Sequence, residues 1–182
     1  MGTKRNDGRN PNLQVLIQPN IGLESDDRHA VLKILNHTLT KETLLTLKTR
    51  NVHWHVRGTG FFERRIFFDS QYQQLNQISE KIAERILELG GIASGGLQEY
   101  FEYINLNAQS GDTPSTKGLL TDHEVTIRFL RDDAKKCSEE FGDEVTHHLL
   151  VTILYQHEKM AWMLRSYVEA ELPDDNSFAS SD

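Results

Sequence analysis

The chain has little cysteine, little proline and no long apolar run. Its single cysteine, Cys137, excludes an intrachain disulfide framework and a cysteine-rich zinc site, and this usage is typical of a reducing compartment. No segment approaches the roughly 18 to 20 apolar residues that a membrane-spanning helix needs, and no apolar signal-peptide core follows the first residues. We therefore expect a soluble cytoplasmic protein with no membrane partner. Its 182 residues, 37% of them hydrophobic, suffice for one buried core.

Positive charge is also scarce. The formal net charge is −7, which argues against a body that grips nucleic acid electrostatically, because duplex binding depends on clustered Lys and Arg. The first ten residues carry Lys4, Arg5 and Arg9 against Asp7. A short basic arm is one interpretation of this segment, and an ordinary solubilising tail is the other, which we favour. DNA is thus a weakly supported partner, and so is an association with the nucleoid.

The scarcity of proline leaves two long stretches in which helices can form, since prolines occur only at Pro11, Pro19, Pro114 and Pro173. Apolar residues recur in both stretches with a helical period, and glycines or proline follow each run. The sequence therefore predicts four long helices, over residues 26–56, 61–89, 119–140 and about 144–170. The expected N-cap is Ser25 or Asp26 for the first helix and Asp143 for the last.

The lengths of the connections predict the topology. Residues 92–115 are rich in Gly, Ser and Asn and include one short helical segment, 97–104, which indicates a long crossover that carries a short helix. A tight link, a long crossover and a second tight link are typical of an all-α, ferritin-like four-helix bundle. We predict a flexible tail over residues 1–24, the bundle over 25–171 and a disordered acidic tail over 172–182.

Several side chains are expected to pack rather than react. The core-facing stripe of the second helix is predicted to contain Phe62, Ile66, Tyr72, Leu75, Ile78, Ile82, Ile86 and Leu89. Cys137, set among charged neighbours, is expected on a half-exposed helix face. Trp54 and Trp162 are expected to pack at interfaces. Surface or core roles are expected for the histidines that have no ligand partner at helical spacing, namely His29, His37, His123 and His157.

Four residues of the first two helices are candidate metal ligands, namely His53, Asp69, Glu80 and Glu84. Glu80 and Glu84 are separated by one helical turn, which places both carboxylates on one face, and bundles build iron sites from such facing carboxylates and imidazoles. Iron accepts this mixture of oxygen and nitrogen donors. Spacing alone favours a solvated helix face, because Lys81 and Arg85 lie beside the two glutamates.

The local sequence adds a family resemblance over about residues 26–170. The chain resembles the Dps family, the DNA-binding proteins from starved cells, which are ferritin-like miniferritins. This resemblance implies a cytoplasmic shell of twelve identical subunits that oxidises Fe(II) with peroxide or oxygen at subunit interfaces, stores ferric mineral and thereby protects DNA. The motifs that carry it are residues 51–58, Phe61-Phe62, 69–72, 82–85 with 89–91, 122–124, 142–146 and 157–165.

The family's ferroxidase ligands transfer to this chain in part. His53 matches the family's first histidine, Asp69 its auxiliary aspartate and Glu84 its bridging glutamate, while Glu80 stands where the family usually has aspartate. Arg65 occupies the position of the family's second histidine, and a guanidinium cannot ligate a metal. Two readings follow for Arg65: it pairs with a glutamate of the neighbouring subunit, or it swings outward while another donor replaces it. A weakened or single-metal site is the reading that we favour.

A second constellation lies at the start of the fourth helix. The resemblance places Asp143 and His148 at the pores through which iron enters, where acidic residues are usual at both positions. Three converging His148 side chains would suit a borderline cation such as zinc, and zinc is also a candidate at the ferroxidase site. The alternative is that His148 packs sideways and His147 faces solvent.

The sequence thus predicts an iron-storing ferroxidase whose activity Arg65 reduces. The alternative function is a metal-sequestering or DNA-associated shell protein with a weakened ferroxidase site. A plain helical interaction module is a third and weaker reading, because it does not explain the set of candidate ligands.

Overall fold

Four long helices make up nearly all of the structure. A computed structural model describes residues 19–95 and 115–170, and within them it contains helices and no strand. The helices are α1 (Ser25–His55), α2 (Phe61–Glu88), α3 (Thr116–Glu139) and α4 (Glu144–Ala170). The predicted all-α class is confirmed, and α3 starts earlier than predicted. The short helix predicted over 97–104, residues 1–18 of the predicted N-terminal tail and the whole predicted C-terminal tail lie outside the described residues. None of the helices in those two ranges combines the length and the apolar character needed to cross a membrane.

The helices pack as two hairpins. α1 packs mainly on α2 and α3 mainly on α4, while α1 also contacts α3 and α2 contacts α4. Between α1 and α2 the chain turns through Gly58 and Gly60, whose φ values of 80° and 70° lie in the left-handed region that favours glycine. The core lies between the two hairpins. Its largest fully buried side chains are Leu32, Leu35, Leu75, Ile78, Ile82, Ile86, Leu89, Leu130, Leu150, Ile153, Met160 and Leu164.

The helix starts differ in how they are capped. α1 begins at Ser25 with Glu24 as its N-cap and no side-chain cap bond, so the prediction of Ser25 or Asp26 was wrong by one position or more. Ser115 caps α3 by accepting a hydrogen bond from the Gly118 N–H. Asp143 caps α4 as predicted, because its Oδ1 accepts from the Thr146 N–H at 2.9 Å. A small polar side chain therefore stabilises the start of α3 and α4 but not of α1.

Two packing predictions need correction. Phe62 and Ile66 were placed in the core stripe of α2, but they are 69% and 54% exposed, because they lie on the side of α2 that faces away from the other helices. Cys137 was expected to be half-exposed and is fully buried, since it follows Leu130 and Ala134 on the core-facing stripe of α3. Burial, with the Asp143 and Asp133 carboxylates nearby, raises the pKa of the Cys137 thiol to about 12.

Candidate metal centre

His53 lies in the last turn of α1 with its ring almost fully buried. The residue is 7% exposed, and its ring packs against the Tyr72 ring of α2, with the ring centroids 5.5 Å apart. The guanidinium carbon of Arg50 lies 5.2 Å from the centroid of the Tyr72 ring. Buried His53 Nδ1 has no hydrogen-bond partner among the described residues. An imidazole held by packing, with an unpartnered ring nitrogen, is suited to bind a ligand.

The surroundings of His53 favour its neutral form. Burial lowers the pKa of His53, the Arg65 guanidinium lowers it further, and the Asp69 carboxylate opposes both effects. Arg65 and Asp69 of the same chain therefore lie close enough to His53 to act on its charge. A neutral imidazole is the form that ligates metals, so His53 is a candidate metal ligand.

Arg65, Asp69, Glu80 and Glu84 share one face of α2, which we call the α2 ligand face. At about 100° per residue, the four residues fall within an arc of about 100°. Arg65, Glu80 and Glu84 are exposed, and Asp69 is partly buried. The carboxylates therefore point away from the core of their own bundle and are available to a neighbouring molecule.

The predicted ligands do not meet within one chain. Asp69 and Glu80 are 11 residues apart, which is about 16 Å along a helix, and His53 lies at the Asp69 end. In accord with this separation, no group of three or more His, Cys, Asp or Glu within residues 19–95 and 115–170 is arranged to hold a metal ion. One chain thus supplies His53 and Asp69 at one end of the face and Glu80 and Glu84 at the other.

Large apolar side chains lie beside these ligands. Phe62, Ile66 and Leu87 fall in the same arc of α2, and all three are more than half exposed. Trp54, next to His53 in α1, is 62% exposed, and its packing at an interface stays a prediction. Exposed apolar groups that alternate with charged ones along a helix mark a surface for another protein.

Asp143 is occupied within its own bundle. It is 2% exposed, and the Arg85 Nη2 donates to its Oδ1 and Oδ2 at 3.0 and 3.1 Å. The Thr146 hydroxyl donates to Oδ2 at 2.5 Å, and Arg85 Nε donates to that hydroxyl at 2.9 Å. This network joins α2 to the start of α4. A structural role therefore accounts for Asp143, whose carboxylate does not reach the surface.

His147 and His148 lie on different sides of α4. The His147 Nδ1 is 2.9 Å from the Ala134 carbonyl oxygen of α3, so this ring bridges α3 and α4 rather than facing solvent. His148 is exposed, and so are Tyr155 and Trp162, which follow it on the same side at intervals of seven residues. Of the two predicted pore residues, His148 alone is placed where a neighbour could meet it.

One buried polar cluster was not predicted from the sequence. His123 of α3 and His157 of α4 were each expected to stand alone, yet their Nδ1 atoms lie 3.0 Å apart. The His157 Nε2 contacts Glu42 of α1 at 3.0 Å from Oε1 and 3.1 Å from Oε2. All three side chains are fully buried. No local spacing connects positions 42, 123 and 157, so only the packing of three helices could reveal the cluster.

Comparison with known proteins assigns the family. The family model described as Ferritin-like domain matches residues 32–171. The DNA protection during starvation protein 2 of Bacillus anthracis is 31% identical over 141 residues, which cover 76% of this chain and 96% of the relative. The chain belongs to the Dps family of ferritin-like proteins.

Other comparisons also cover most of the chain. The low temperature-induced protein of Nostoc sp. strain PCC 7120 is 36% identical over 161 residues, or 86% of this chain and 90% of the relative. DpsC of Streptomyces coelicolor superposes with a TM-score of 0.78 at 27% identity, covering 87% of this chain and 94% of that structure. The Dps protein of Vibrio cholerae O1, described as a member of a superfamily of ferritin-like diiron-carboxylate proteins, gives 0.74 at 25% identity over 83% and 96%.

Proposed function

We propose that this Dps-family chain stores iron and oxidises Fe(II) at sites formed between two subunits. The observation that carries the proposal is the α2 ligand face. His53 lies beside its Asp69 end, and Glu80 and Glu84 lie at its other end, so each end would supply part of a carboxylate and imidazole site. The names of the relatives and the diiron-carboxylate description of the Vibrio cholerae protein support the same chemistry.

Two copies of the α2 ligand face complete each other when they pair in an antiparallel orientation. A two-fold axis near the middle of the face would set the His53 and Asp69 end of one subunit against the Glu80 and Glu84 end of its neighbour. The exposed apolar residues Phe62, Ile66 and Leu87 would then be buried in the same contact. The charges also match, since Arg65 at one end would approach the glutamates at the other.

The site would treat Fe(II) as its substrate. His53 would donate a ring nitrogen, and Asp69 with the neighbouring subunit's glutamates would donate carboxylate oxygens. Two Fe(II) ions would supply the two electrons that cleave the O–O bond of one peroxide molecule. Where a site binds only one ion tightly, the second electron would come from a further Fe(II) ion in solution, and hydrolysis of the ferric product would release protons. Removal of iron and peroxide together would protect DNA.

Arg65 sets the metal stoichiometry in this proposal. Its guanidinium offers only N–H donors, and beside the glutamates of the neighbour it would form an ion pair where a second metal would otherwise bind. We therefore infer one tightly bound iron per site and an oxidation rate below that of a site with two histidines.

Aerobic oxidation of Fe(II) tests the central claim. Ferric absorbance should rise faster with the protein than without it, both in air and with peroxide added, and His53→Ala should remove most of this acceleration. The matched control is His55→Ala, because His55 is exposed and points about 200° away from His53 on α1. Equal rates for the wild type and His53→Ala would refute the proposed site.

Anaerobic Fe(II) titration tests the role of Arg65. The wild type should bind one ion per site, and Arg65→His should bind two and oxidise iron faster. Two tightly bound ions per site in the wild type would overturn the inference about Arg65 without touching the storage proposal.

A second candidate function is favoured by Arg65 itself. The chain would then form a metal-sequestering or DNA-associated shell with little oxidase activity. No acceleration of oxidation by the wild type, together with intact assembly, would select it. A gel shift at low and moderate salt, with and without the first ten residues, decides whether the basic arm contributes to DNA binding.

Assembly into a closed shell, with twelve subunits as the expected number, completes the proposal. The exposed line of His148, Tyr155 and Trp162 on α4 offers a second surface besides the α2 ligand face. Iron would enter where copies of His148 converge, and zinc would compete there. His148→Asp should change the rate of iron uptake or its inhibition by zinc, and no change in either would remove the pore role.

A further inference from the structure

A chain of three ionisable side chains crosses the centre of the bundle. Glu42 of α1 meets His157 of α4, and His157 meets His123 of α3, with all three side chains fully buried. None of these three residues belongs to the proposed iron site. Its two contacts join three of the four helices, so its state matters to the packing of the whole bundle.

The two contacts limit how many protons the three side chains can carry together. The His157 Nε2 must hold a proton to donate to Glu42, and one proton must lie between the two Nδ1 atoms, 3.0 Å apart. A third proton fits on the His123 Nε2, which has no partner among the described residues, and it balances the Glu42 charge. A fourth proton would give both Nδ1 atoms a hydrogen, which removes the acceptor and breaks the contact between the two rings.

No other charge in the described core compensates that fourth proton. The buried side chains of α2 are all uncharged. On α3, Asp133 lies about three turns from His123 and contacts Lys136. On α4, Asp143 lies about four turns from His157 and is paired with Arg85. On α1, Lys41 lies over the Phe129 ring, and its ammonium adds positive charge. Within residues 19–95 and 115–170, Glu42 is therefore the only carboxylate in contact with the imidazole pair.

We propose that the Glu42–His157–His123 cluster is an acid-sensitive latch. It joins α1, α3 and α4 near neutral pH and releases them when the fourth proton binds, so that both imidazoles are positively charged. Burial, and next the charge of His157, hold the pKa of His123 well below its usual value. The unfolded chain therefore takes up this proton first as the pH falls. Stability from this group is complete above the unfolded-state value of about 6.5 and is lost as the pH falls below it.

Comparison of the wild type with His123→Gln isolates the latch, because other titrating groups cancel between them. The glutamine amide oxygen can accept from the His157 Nδ1, so His157 can stay protonated beside Glu42, and glutamine itself takes up no proton. One proton of difference changes an unfolding constant about tenfold per pH unit, so between pH 6.5 and 4.5 the ratio of the two unfolding constants should rise by up to about a hundredfold. Denaturant unfolding at a fixed chain concentration, followed at several pH values, measures the ratio. A ratio that does not vary with pH would overturn the latch.

Glu42→Gln should act in the opposite direction. Without the carboxylate, the third proton is also uncompensated, so the bundle should loosen at a higher pH than the wild type. When the stability of each protein is compared with its own value at neutral pH, His123→Gln should lose stability at a lower pH than the wild type. Lowered stability with unchanged pH dependence in both variants would mean that the cluster is only structural. His29→Gln, which removes a partly exposed histidine of α1, is the control and should keep the wild-type pH dependence.

A measurement on the wild type covers the case in which His123→Gln does not fold. Amide hydrogen exchange, corrected for the intrinsic effect of pH, should accelerate around positions 42, 123 and 157 between pH 7 and pH 5, more than in the middle of α2. Equal protection at the two pH values would overturn the proposal. None of these experiments requires iron, so the latch and the proposed iron chemistry can fail independently.

Discussion

At the scale of single residues, ion pairs in this chain differ sharply in burial. Asp143 and Arg85 are 2% and 11% exposed in their side chains, whereas Asp122 and Lys48 are 34% and 60% exposed. A carboxylate deprived of water depends on its partner, while an exposed one regains water when the pair breaks. The two pairs have similar lengths, 3.0 and 2.8 Å, so burial decides their contributions.

Asp143→Ala should therefore be among the most damaging single substitutions. It leaves the Arg85 guanidinium without its carboxylate partner and removes the N-cap of α4. We expect a loss of about 3 to 5 kcal/mol in the free energy of unfolding. Asp122→Ala, the matched control, should cost less than about 1 kcal/mol. Denaturant unfolding measures both, and similar losses for the two variants would contradict this account.

Gly91 is required for its small size. A Cβ atom at this position would lie 2.4 Å from the Leu32 Cδ2 and 3.2 Å from the Ile86 Cγ2, and both neighbours are fully buried. Gly91→Ala should thus cost about 1 to 3 kcal/mol through overpacking. At Gly95 an added Cβ meets nothing within 4 Å. Gly95→Ala should leave the thermal unfolding midpoint almost unchanged, and an equal shift for both variants would count against the packing explanation.

At the scale of helices, α1 has a poorly capped start. Glu24 occupies the N-cap position without a side-chain bond, although Asp26 and Asp27 in the first turn favour the helix dipole. Glu24→Ser should supply the missing bond and raise stability by about 0.5 to 1 kcal/mol. Ser115→Ala should lower it by a similar amount, because Ser115 caps α3. Changes of the same sign in the two variants would contradict the capping argument.

Helix positions could be predicted from the sequence because they depend on local signals. The glycines at 58, 60, 90 and 142 have positive φ and end or precede helices, so a helical period with glycine boundaries was sufficient. The error on α2 has a physical reason. Phe62 and Ile66 are apolar at helical spacing, yet they lie outside the core, and an interface residue has the same periodicity as a core residue.

The site was only partly predictable. The sequence indicated His53 and Asp69 as candidate ligands but did not predict that they lie close together, which the effect of the Asp69 carboxylate on the pKa of His53 now indicates. The separation of Glu80 and Glu84 from this pair follows from helix rise. The burial of Asp143 and the contact of His123 with His157 depend on how α3 and α4 pack, and no interval in the sequence specifies that.

At the scale of the whole molecule, the described residues include two surfaces that combine large exposed apolar side chains with candidate ligands. One is the α2 ligand face with Phe62, and the other is the α4 line that includes Tyr155 and Trp162. A closed assembly needs more than one kind of contact, because a single two-fold contact ends at a dimer.

A charged substitution on each surface should distinguish the contributions of the two contacts to assembly. Phe62→Glu should prevent the proposed antiparallel pairing, leaving smaller species held only through α4, whereas Tyr155→Glu should leave dimers. Glu63→Gln is the control, since this residue lies outside the arc of the α2 ligand face. Light scattering coupled to gel filtration measures the masses. Full-size assemblies from both glutamate variants would show that neither surface holds the shell together.

The burial of Cys137 has a practical consequence for all of these measurements. The chain has no other cysteine, and this thiol is fully buried with its pKa raised to about 12. A cysteine introduced at an exposed position would therefore be the only group that a maleimide dye could reach in the native protein. Fluorophores or spin labels could then be attached at one chosen point per subunit, without first replacing a native residue.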